Sequence, residues 1–354
     1  MASSRVIGLD IGTTAVRAAQ LEFGSGGPAA SQPGTLVRLG EVALPPGAVR
    51  DGEVQQPDIV SGALRRLWAD ARFDSKDVVL GVGNQRVLVR DLDLPWLPPA
   101  QLKQSLPFQV GDMLPMSADE ALLDYFTIGE FPGTQGRMLR GMLVAAQRDT
   151  VTSNVLAVEG AGLRPTMVDL NGFALLRALA RGELAQATAA FVDVGATVTT
   201  VVIASAGVPR LVRSLPAGGQ NVTMAVASAL GVSQPDAEQI KREVGVGYAA
   251  AADRQPAAEA INSVVGTLIE GIRNTLVYFQ SNNQGANIDV VVLTGGGAQL
   301  PGFGQYISSA SRLPATLGDP IGSLRPAKSL NRAALTGRES LLALPVGLAY
   351  GVAA

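Results

Sequence analysis

"VIGLDIGTTAVRAAQ", residues 6–20, places an aspartate and a Gly-Thr-Thr turn between two apolar runs. Nearly the same pattern returns in "AAFVDVGATVTTVVIASAG", residues 189–207. Asp193 of the second copy stands 183 positions after Asp10 of the first, and a glycine follows two residues later in both copies. The repetition predicts an internal duplication, in which each copy is a strand, a tight turn and a second strand.

The residue types of each copy suit a ligand-binding turn. The run before the aspartate is rich in Val, Ile, Leu or Phe, as expected of a strand buried on both faces. The glycine lets the backbone approach a ligand, and the N–H groups of such a turn can bind an anion. Asp10 and Asp193 are then expected to face one cleft, where two carboxylates can hold a hydrated Mg²⁺ that bridges phosphates. Two hairpins with incidental aspartates are the alternative, and the recurrence of the whole pattern argues against them.

Two glycine clusters follow where such a cleft would need them. The first, just before a helical-looking segment, is Gly218 and Gly219. The second follows a β-branched strand over residues 290–293 and comprises Gly295, Gly296 and Gly297. Glycines between a strand and a helix leave room for a phosphate or a base, and helix N-termini favour anions. A flexible turn explains either cluster alone, but their order after the repeated turn favours a binding role.

A helix is predicted over "QPDAEQIKREVG", residues 234–245, because a proline and acidic residues open it and basic residues follow. Glu238 lies three residues before Lys241 and four before Arg242, so the three side chains share one face. A surface ion-pair network is one interpretation of that face. Contact with a bound ligand is the other.

Composition excludes several classes of protein. The 354 residues predict two or more lobes, and 47% apolar residues with a net charge of −2 argue against disorder and against polyanion binding. The chain has neither cysteine nor histidine, which removes disulfides, thiol nucleophiles, the usual zinc sites and histidine bases. "MASSRVIGLD" lacks the pattern of a signal peptide, and the apolar stretches are short or interrupted, so a cytoplasmic location is expected.

The order of these motifs resembles the actin-like ATPase superfamily, and within it the branch of FtsA and the type IV pilus assembly PilM family. The stretches that carry the likeness to the PilM family include "GEVQQPDIVSGALRRL", "SLPFQVGDMLPMSADEALLDYFTIGE" and "AVEGAGLRPTMVDLNGFALLRAL". The likeness runs from about Arg5 to Tyr350. It implies an α/β, actin-like (ribonuclease H-like, duplicated) two-lobed fold with an α+β subdomain inserted in the first lobe.

The resemblance also implies a division of the chain. It assigns residues 1–35, 166–187 and 340–354 to the first lobe, 36–165 to the insertion, 188–225 and 286–339 to the second lobe, and 226–285 to a helical subdomain. Within the insertion, residues 77–83 and 86–94 look like a hairpin. The segment 98–116 has prolines around exposed-looking Leu, Phe and Met, which fits either a loop folded on its own core or a surface that faces a partner.

The family likeness implies that ATP and Mg²⁺ bind in the cleft, with Asp10 and Asp193 on the metal. The other implied nucleotide contacts are Gly12, Thr13, Thr14, Gly195, Gly218, Gly219, Asn221, Glu238, Lys241, Gly295, Gly296 and Gly297. Arg17 stands where actin has a phosphate-contacting lysine, although strand alternation also allows it to point to solvent. For hydrolysis, Asn171 is the nearest polar candidate to orient water, so slow turnover or none is expected.

The implied function is a cytoplasmic scaffold of a pilus or secretion machine that binds the cytoplasmic tail of a PilN-like inner-membrane protein. Self-association, or a ring with pilus motor components, is compatible with this interpretation. One alternative is a small-molecule kinase on the same fold, with Asp169 as a conceivable base. An FtsA-like filament is another, but it calls for a basic amphipathic C-terminal helix, whereas "LLALPVGLAYGVAA" is uncharged. The last is a scaffold that binds no nucleotide.

Overall fold

A computed structural model describes residues 4–24, 27, 33–134, 136–283, 285–328, 330 and 335–351. Its strands are β1 (Ser4–Ile11), β2 (Ala15–Phe23), β3 (Thr35–Ala43), β4 (Val49–Arg50), β5 (Glu53–Val54), β6 (Asp77–Val82), β7 (Val87–Pro95), β8 (Ala121–Gly133), β9 (Gly136–Gln147), β10 (Arg164–Leu170), β11 (Thr188–Val194), β12 (Thr199–Ser205), β13 (Val208–Leu215), β14 (Val290–Thr294), β15 (Ala315–Leu317) and β16 (Arg325–Pro326). Its α-helices are α1 (Pro57–Ala71), α2 (Pro99–Val110), α3 (Arg148–Gly160), α4 (Asn171–Leu179), α5 (Gly219–Leu230), α6 (Gln234–Val244), α7 (Gln255–Asn282), α8 (Phe303–Ser311) and α9 (Ala343–Ala349). In these ranges no helix combines the length and the apolar character needed to cross a bilayer.

The two large sheets are built on one plan. Their strand orders are β10-β6-β1-β2-β3-β16 and β15-β14-β11-β12-β13. In each, the aspartate-bearing strand pairs antiparallel with the strand after it and parallel with a later one. The turns also close alike, because the Gly12 N–H donates to the Ala15 carbonyl at 3.0 Å and the Gly195 N–H donates to the Val198 carbonyl at 3.0 Å. The predicted duplication is confirmed.

The insertion is smaller than predicted. The separate three-stranded sheet, β7-β9-β8, and α2 occupy only residues 87–147 of the predicted 36–165. β3 and β6 belong to the first large sheet, against which α1 packs. The predicted hairpin over residues 77–94 is also wrong, since β6 and β7 lie in different sheets. Alternation of apolar and polar residues along one strand shows which face is buried, but it does not show which strand pairs with it.

The observed end of the second lobe also differs from the predicted one. β16, within the stretch assigned to the second lobe, pairs with β3 at the edge of the first sheet. Most of the segment 24–34 and residues 352–354 lie outside the described part of the chain. The chain therefore returns to the first lobe earlier than the predicted division allows.

Helices α4 and α9 hold the two lobes together. One hydrophobic core takes Leu21 from the first sheet, Phe191 from the second, Met142 from the inserted sheet and Leu175 from α4. α9 packs tightly against α4, since a Cβ on Gly347 would lie 1.8 Å from the Ala174 carbonyl oxygen. A glycine is therefore required where these two helices meet.

Gly347→Ala is predicted to destabilise the protein severely. The added methyl group overlaps the α4 backbone, and overpacking of this kind typically costs about 1–3 kcal/mol or more. Gly266→Ala is the matched control, because Gly266 lies within α7 and the nearest contact of an added Cβ there would be the Tyr306 hydroxyl at 3.8 Å. The control is expected to leave the free energy of unfolding unchanged or raise it by up to about 1 kcal/mol. Urea unfolding measures both, and equal stabilities would contradict the packing described.

Candidate functional site

A cavity of about 940 Å³ lies between the two large sheets. Its wall includes almost every residue predicted to bind a nucleotide: Asp10, Gly12, Thr13, Thr14, Asp193, Gly195, Gly218, Gly219, Glu238, Lys241, Gly295, Gly296 and Gly297. Asn221 is the exception. Its Oδ1 accepts the Gly218 N–H at 2.9 Å, so this side chain caps the start of α5 and does not line the cavity.

The two carboxylates at the strand ends are in an electrostatically costly position. Asp10 is only 7% exposed, and burial together with the charge of Asp193 raises its pKa to about 6 in spite of Arg17. Burial also raises the pKa of Asp193, although Thr294 Oγ1 donates to its Oδ1 at 3.0 Å. A cation between them would relieve both the desolvation and the repulsion.

The carboxylates suit magnesium better than a metal with an all-protein ligand set. Among the described residues, no group of three or more acidic, histidine or cysteine side chains converges on one point. Mg²⁺ usually takes one or two carboxylates and keeps water and phosphate oxygens as its other ligands. Asp10 and Asp193 fit that requirement.

The two repeated turns touch across the cavity. Thr13 Oγ1 and Thr197 Oγ1 lie 3.0 Å apart and share a hydrogen bond between the lobes. Each threonine belongs to one copy of the duplicated turn, so this bond joins the two lobes beside the cavity. A ligand bound between the turns would compete for both hydroxyl groups.

The three glycines after β14 have two different roles. Gly295 has φ +81°, and a Cβ there would lie 2.4 Å from the Val194 carbonyl oxygen. A Cβ on Gly297 would lie 2.5 Å from Val194 Cγ1, so both glycines are needed for packing. Gly296 differs, because its φ is −68° and the nearest contact of an added Cβ would be Leu341 Cδ2 at 3.8 Å. The fold tolerates a side chain at Gly296, so its bare backbone matters only to what enters the cavity.

Backbone N–H groups at the start of α5 are hydrogen-bonded to the second repeated turn. The N–H groups of Gly219 and Gln220 donate to the carbonyls of Gly195 and Ala196 at 2.9 and 2.8 Å. The expectation that this helix N-terminus is free for an anion is therefore wrong at these two positions. Gly218 and Gly219 position the turn against the helix.

A polar network fixes one end of the cavity. Lys241 Nζ donates to the Gly219 carbonyl, Thr223 Oγ1 and Glu238 Oε2 at 3.1, 3.0 and 2.6 Å. Arg242 Nε donates to Glu238 Oε1 at 2.8 Å. Burial opposes the ionisation of Glu238, but these donors outweigh it and lower its pKa, whereas burial lowers the pKa of Lys241. Lys241 is therefore part of a preformed wall, whereas Arg242, 74% exposed, forms a surface ion pair with Glu238.

Two buried side-chain oxygens in the described residues lack hydrogen-bond partners, and both belong to residues of the cavity wall. They are Asn171 Oδ1, at the first residue of α4, and Gln220 Oε1, in the first turn of α5. An unpaired buried acceptor costs about 1–3 kcal/mol. Both oxygens are closed off from solvent, so each carries this cost within the fold.

Three charged residues, of which the sequence pointed only to Arg17, lie together in the cavity wall. Arg17 lines the cavity and its Nε donates to Glu41 Oε2 at 2.7 Å. Arg338 Nη2 donates to Glu41 Oε1 at 2.8 Å. Glu41 and Arg338 carry no sequence signal, because neither lies near a glycine cluster or the repeated turn. The kinase candidate Asp169 does not line this cavity and instead contacts Arg177 Nη2.

The duplicated sheets, the central cavity and the paired aspartates define an actin-like protein, and comparisons with known proteins agree. The structure superposes on a PilM–PilN type IV pilus biogenesis complex with a TM-score of 0.82, 24% identity and 97% of each chain covered. It resembles MreB5 of Spiroplasma citri bound to AMPPNP with a TM-score of 0.53, 11% identity and coverage of 98% and 95%.

The sequence comparisons give the family. A stretch of 129 residues, 36% of the chain, is 26% identical to the cell division protein FtsA of Bacillus subtilis (strain 168) and spans only 29% of that relative. The family model described as type IV pilus assembly protein PilM matches residues 8–351. The chain belongs to this family.

Asp10→Asn is predicted to stabilise the protein in a chelator-containing, nucleotide-free buffer. The folded pKa of about 6 lies above the usual value, so ionised Asp10 destabilises the fold above that pH. The variant should gain about 2–3 kcal/mol in free energy of unfolding at pH 7–8. The gain should fade between pH 6 and 4, where Asp10 takes up its proton.

Thermal or urea unfolding across this pH range checks the effect. Asp253→Asn is the matched control, since that side chain is 78% exposed. A stability gain that is absent at pH 8, or equal in the two variants, would contradict the burial cost assigned to Asp10.

Proposed function

We propose that the chain is an ATP-binding scaffold of a type IV pilus or related secretion machine, and that its nucleotide sets the angle between the lobes. The observation that carries this proposal is the meeting of Asp10 and Asp193 in one cavity, each on the same turn of a duplicated unit. Family membership points to the pilus machine. The resemblance to an AMPPNP-bound relative supports a nucleotide in the cleft.

The cavity wall has a group for each part of Mg²⁺·ATP. Asp10 and Asp193 would hold the cation, while the turns at Gly12 and Gly195 would face phosphate. The part of the same wall that contains Glu238, Lys241 and Gly296 would receive the adenosine. When bound, the metal–nucleotide would supply positive charge between the carboxylates and a bridge between the lobes.

Hydrolysis is proposed to be slow. Asn171 is the polar side chain that α4 contributes to the cavity wall, and a Cβ on Gly81 would lie 2.3 Å from its Oδ1. Gly81 and Gly83 therefore leave just enough space for this side chain and restrict its rotation. A single amide oxygen can orient a water molecule but cannot accept its proton at neutral pH, so the nucleotide acts mainly as a conformational ligand.

The inserted sheet provides a route from the cleft to a partner site. β7 packs beside β13, the edge strand of the second sheet, where Arg210 acts electrostatically on exposed Asp91. On its other side, Phe126 of β8 meets Phe173 of α4 with ring centroids 4.9 Å apart. Because the insertion touches both lobes, a change in their angle must move it or strain these contacts.

The partner proposed for this surface is the cytoplasmic tail of a PilN-like inner-membrane protein. The similar structure is named as a PilM–PilN complex, and the groove between the first lobe and the inserted sheet is the place proposed for the tail. The segment after β7 contributes apolar surface nearby, with Phe108 of α2 90% exposed. Contact with the membrane, from a position in the cytoplasm, would then come through this partner, with self-association or a ring of pilus motor components as a further level of assembly.

Gly296→Ala is predicted to fold normally and to weaken ATP binding at least about tenfold, since one methyl group in a close-fitting site has effects of that size. Asp193→Ala should abolish Mg²⁺-dependent binding. Isothermal titration with Mg²⁺·ATP measures both, and Asp253→Ala is the exposed control. Equal affinities in wild type and all three variants would contradict the proposed site, and a wild type that binds no ATP would favour the scaffold that binds no nucleotide.

Arg210→Ala is predicted to uncouple the partner site from the cleft. Coupling between sites is typically about 5- to 150-fold in affinity. In wild type, ATP should change the affinity for a PilN-like tail peptide, and the variant should reduce that change at least about twofold while still binding ATP. Arg213→Ala, an exposed arginine on the same strand, is the control. A tail affinity that ignores ATP in wild type would contradict the proposed coupling.

A further inference from the structure

Two arginines share one carboxylate in the part of the cavity wall that the first sheet contributes. Glu41 accepts a hydrogen bond from Arg17 Nε at 2.7 Å and another from Arg338 Nη2 at 2.8 Å. Glu41 and Arg338 line the cavity, and their side chains are 33% and 53% exposed. A wall residue that solvent also reaches marks an opening of the cavity, so the Arg338–Glu41 pair lies at a mouth of the cavity.

The pair continues a row of alternating charge that begins at the two aspartates. Asp10 on β1 stands opposite Arg17 on β2, and Arg17 stands opposite Glu41 on β3. Directly opposed residues of antiparallel strands share one face of the sheet, so these three side chains are neighbours. Arg17 also acts electrostatically on Asp193. Charge that enters the cavity therefore changes the balance on Arg17 and on the carboxylate that it shares with Arg338.

Arg338 belongs to a short segment that the second lobe holds. This segment, residues 336–341, leads into α9 and is called the strap. Gln299 Nε2 donates to Ser340 Oγ at 3.2 Å, and the Gly295 N–H donates to the Ser340 carbonyl at 3.2 Å. Both donors come from the residues that follow β14 of the second sheet. Since Arg338 reaches β3 of the first sheet, its ion pair joins the two lobes across the mouth.

The ion pair is suited to open and close. Loss of a partly exposed pair changes an equilibrium by only about 1.5- to 5-fold, so the strap can detach without unfolding the protein. Arg17 stays on Glu41 when Arg338 leaves, and the exposed guanidinium of Arg338 is then solvated. Opening therefore leaves no buried charge without a partner, which would otherwise make the movement costly.

We propose that Arg338 and Glu41 form a latch that holds the strap across this mouth and slows the exchange of the ligand in the cleft. With the latch closed, the strap obstructs the route through the mouth. With the latch open, the strap moves away from the first sheet and the ligand leaves faster. The inference rests on the proposed function for its ligand, a nucleotide, but the movement of the strap needs no ligand.

The position of the strap tests the latch in the ligand-free protein. Because the chain has no cysteine, Thr152→Cys on α3 and Thr336→Cys on the strap, both exposed, provide two unique sites for spin labels. By double electron–electron resonance, wild type is expected to give one narrow distance distribution and Arg338→Gln an additional, longer distance. Arg338→Lys keeps the charge and should restore the wild-type distribution. Identical distributions in wild type and Arg338→Gln would overturn the latch.

The second measurement is the release of N-methylanthraniloyl-ATP, bound with Mg²⁺ and chased with excess ATP in stopped flow. Arg338→Gln and Glu41→Gln are each expected to speed release about 2- to 5-fold. The two substitutions change the charge at the mouth in opposite directions. An effect of charge on the anionic ligand alone would therefore change the two rates in opposite directions, whereas loss of the latch raises both. The double variant should be no faster than the faster single variant, since both changes break one contact.

Arg66→Gln is the matched control, because Arg66 is 73% exposed and pairs with Asp70 on α1, and neither residue lines the cavity. It should release the analogue at the wild-type rate. Opposite changes in Arg338→Gln and Glu41→Gln, or unchanged rates in both, would overturn the latch and leave the nucleotide site intact. A wild type that does not bind the analogue would overturn the proposed function and with it the role of the latch in nucleotide exchange.

Discussion

The structure depends on two carboxylates at the ends of two equivalent strands, Asp10 buried and Asp193 partly buried, and neither forms an ion pair with any cationic side chain in the described part of the chain. Asp10 is repelled by Asp193, and Arg17, which acts on both, is itself bound to Glu41. A chain selected for stability alone would replace such a pair, because each buried charge costs free energy. A pair of perturbed carboxylates in a cleft is typical of a binding site.

The surrounding fold links the charges of the two carboxylates to the relative position of the two lobes. Each aspartate belongs to a different sheet, and the two sheets share one hydrophobic core with α4, α9 and the inserted sheet. Any ligand that draws the carboxylates together therefore acts on both sheets at once. The bond between Thr13 and Thr197 shows how close the two turns lie to each other. The inserted sheet touches β13 and α4, so a movement of the two large sheets relative to each other would also move the inserted sheet.

The sequence was most informative where a motif that serves the site occurs twice. The repeated turn identified Asp10 and Asp193, and the strand that precedes the glycine cluster ends at Thr294 as β14. It was least informative about pairing between distant strands, so β6 was assigned to a hairpin that does not exist. Glu41 and Arg338 could not be recognised, because they meet in the cavity wall only after parts of the chain that are far apart in sequence have packed together.

A metal-bound nucleotide in the space between the two aspartates is the feature on which the proposed function rests. The most direct measurement is anomalous diffraction from crystals grown with Mn²⁺ and a non-hydrolysable ATP analogue. We expect one manganese peak between the Asp10 and Asp193 carboxylates, with the analogue running from there toward Glu238. A manganese peak elsewhere, or an analogue bound outside this cavity, would contradict the proposal.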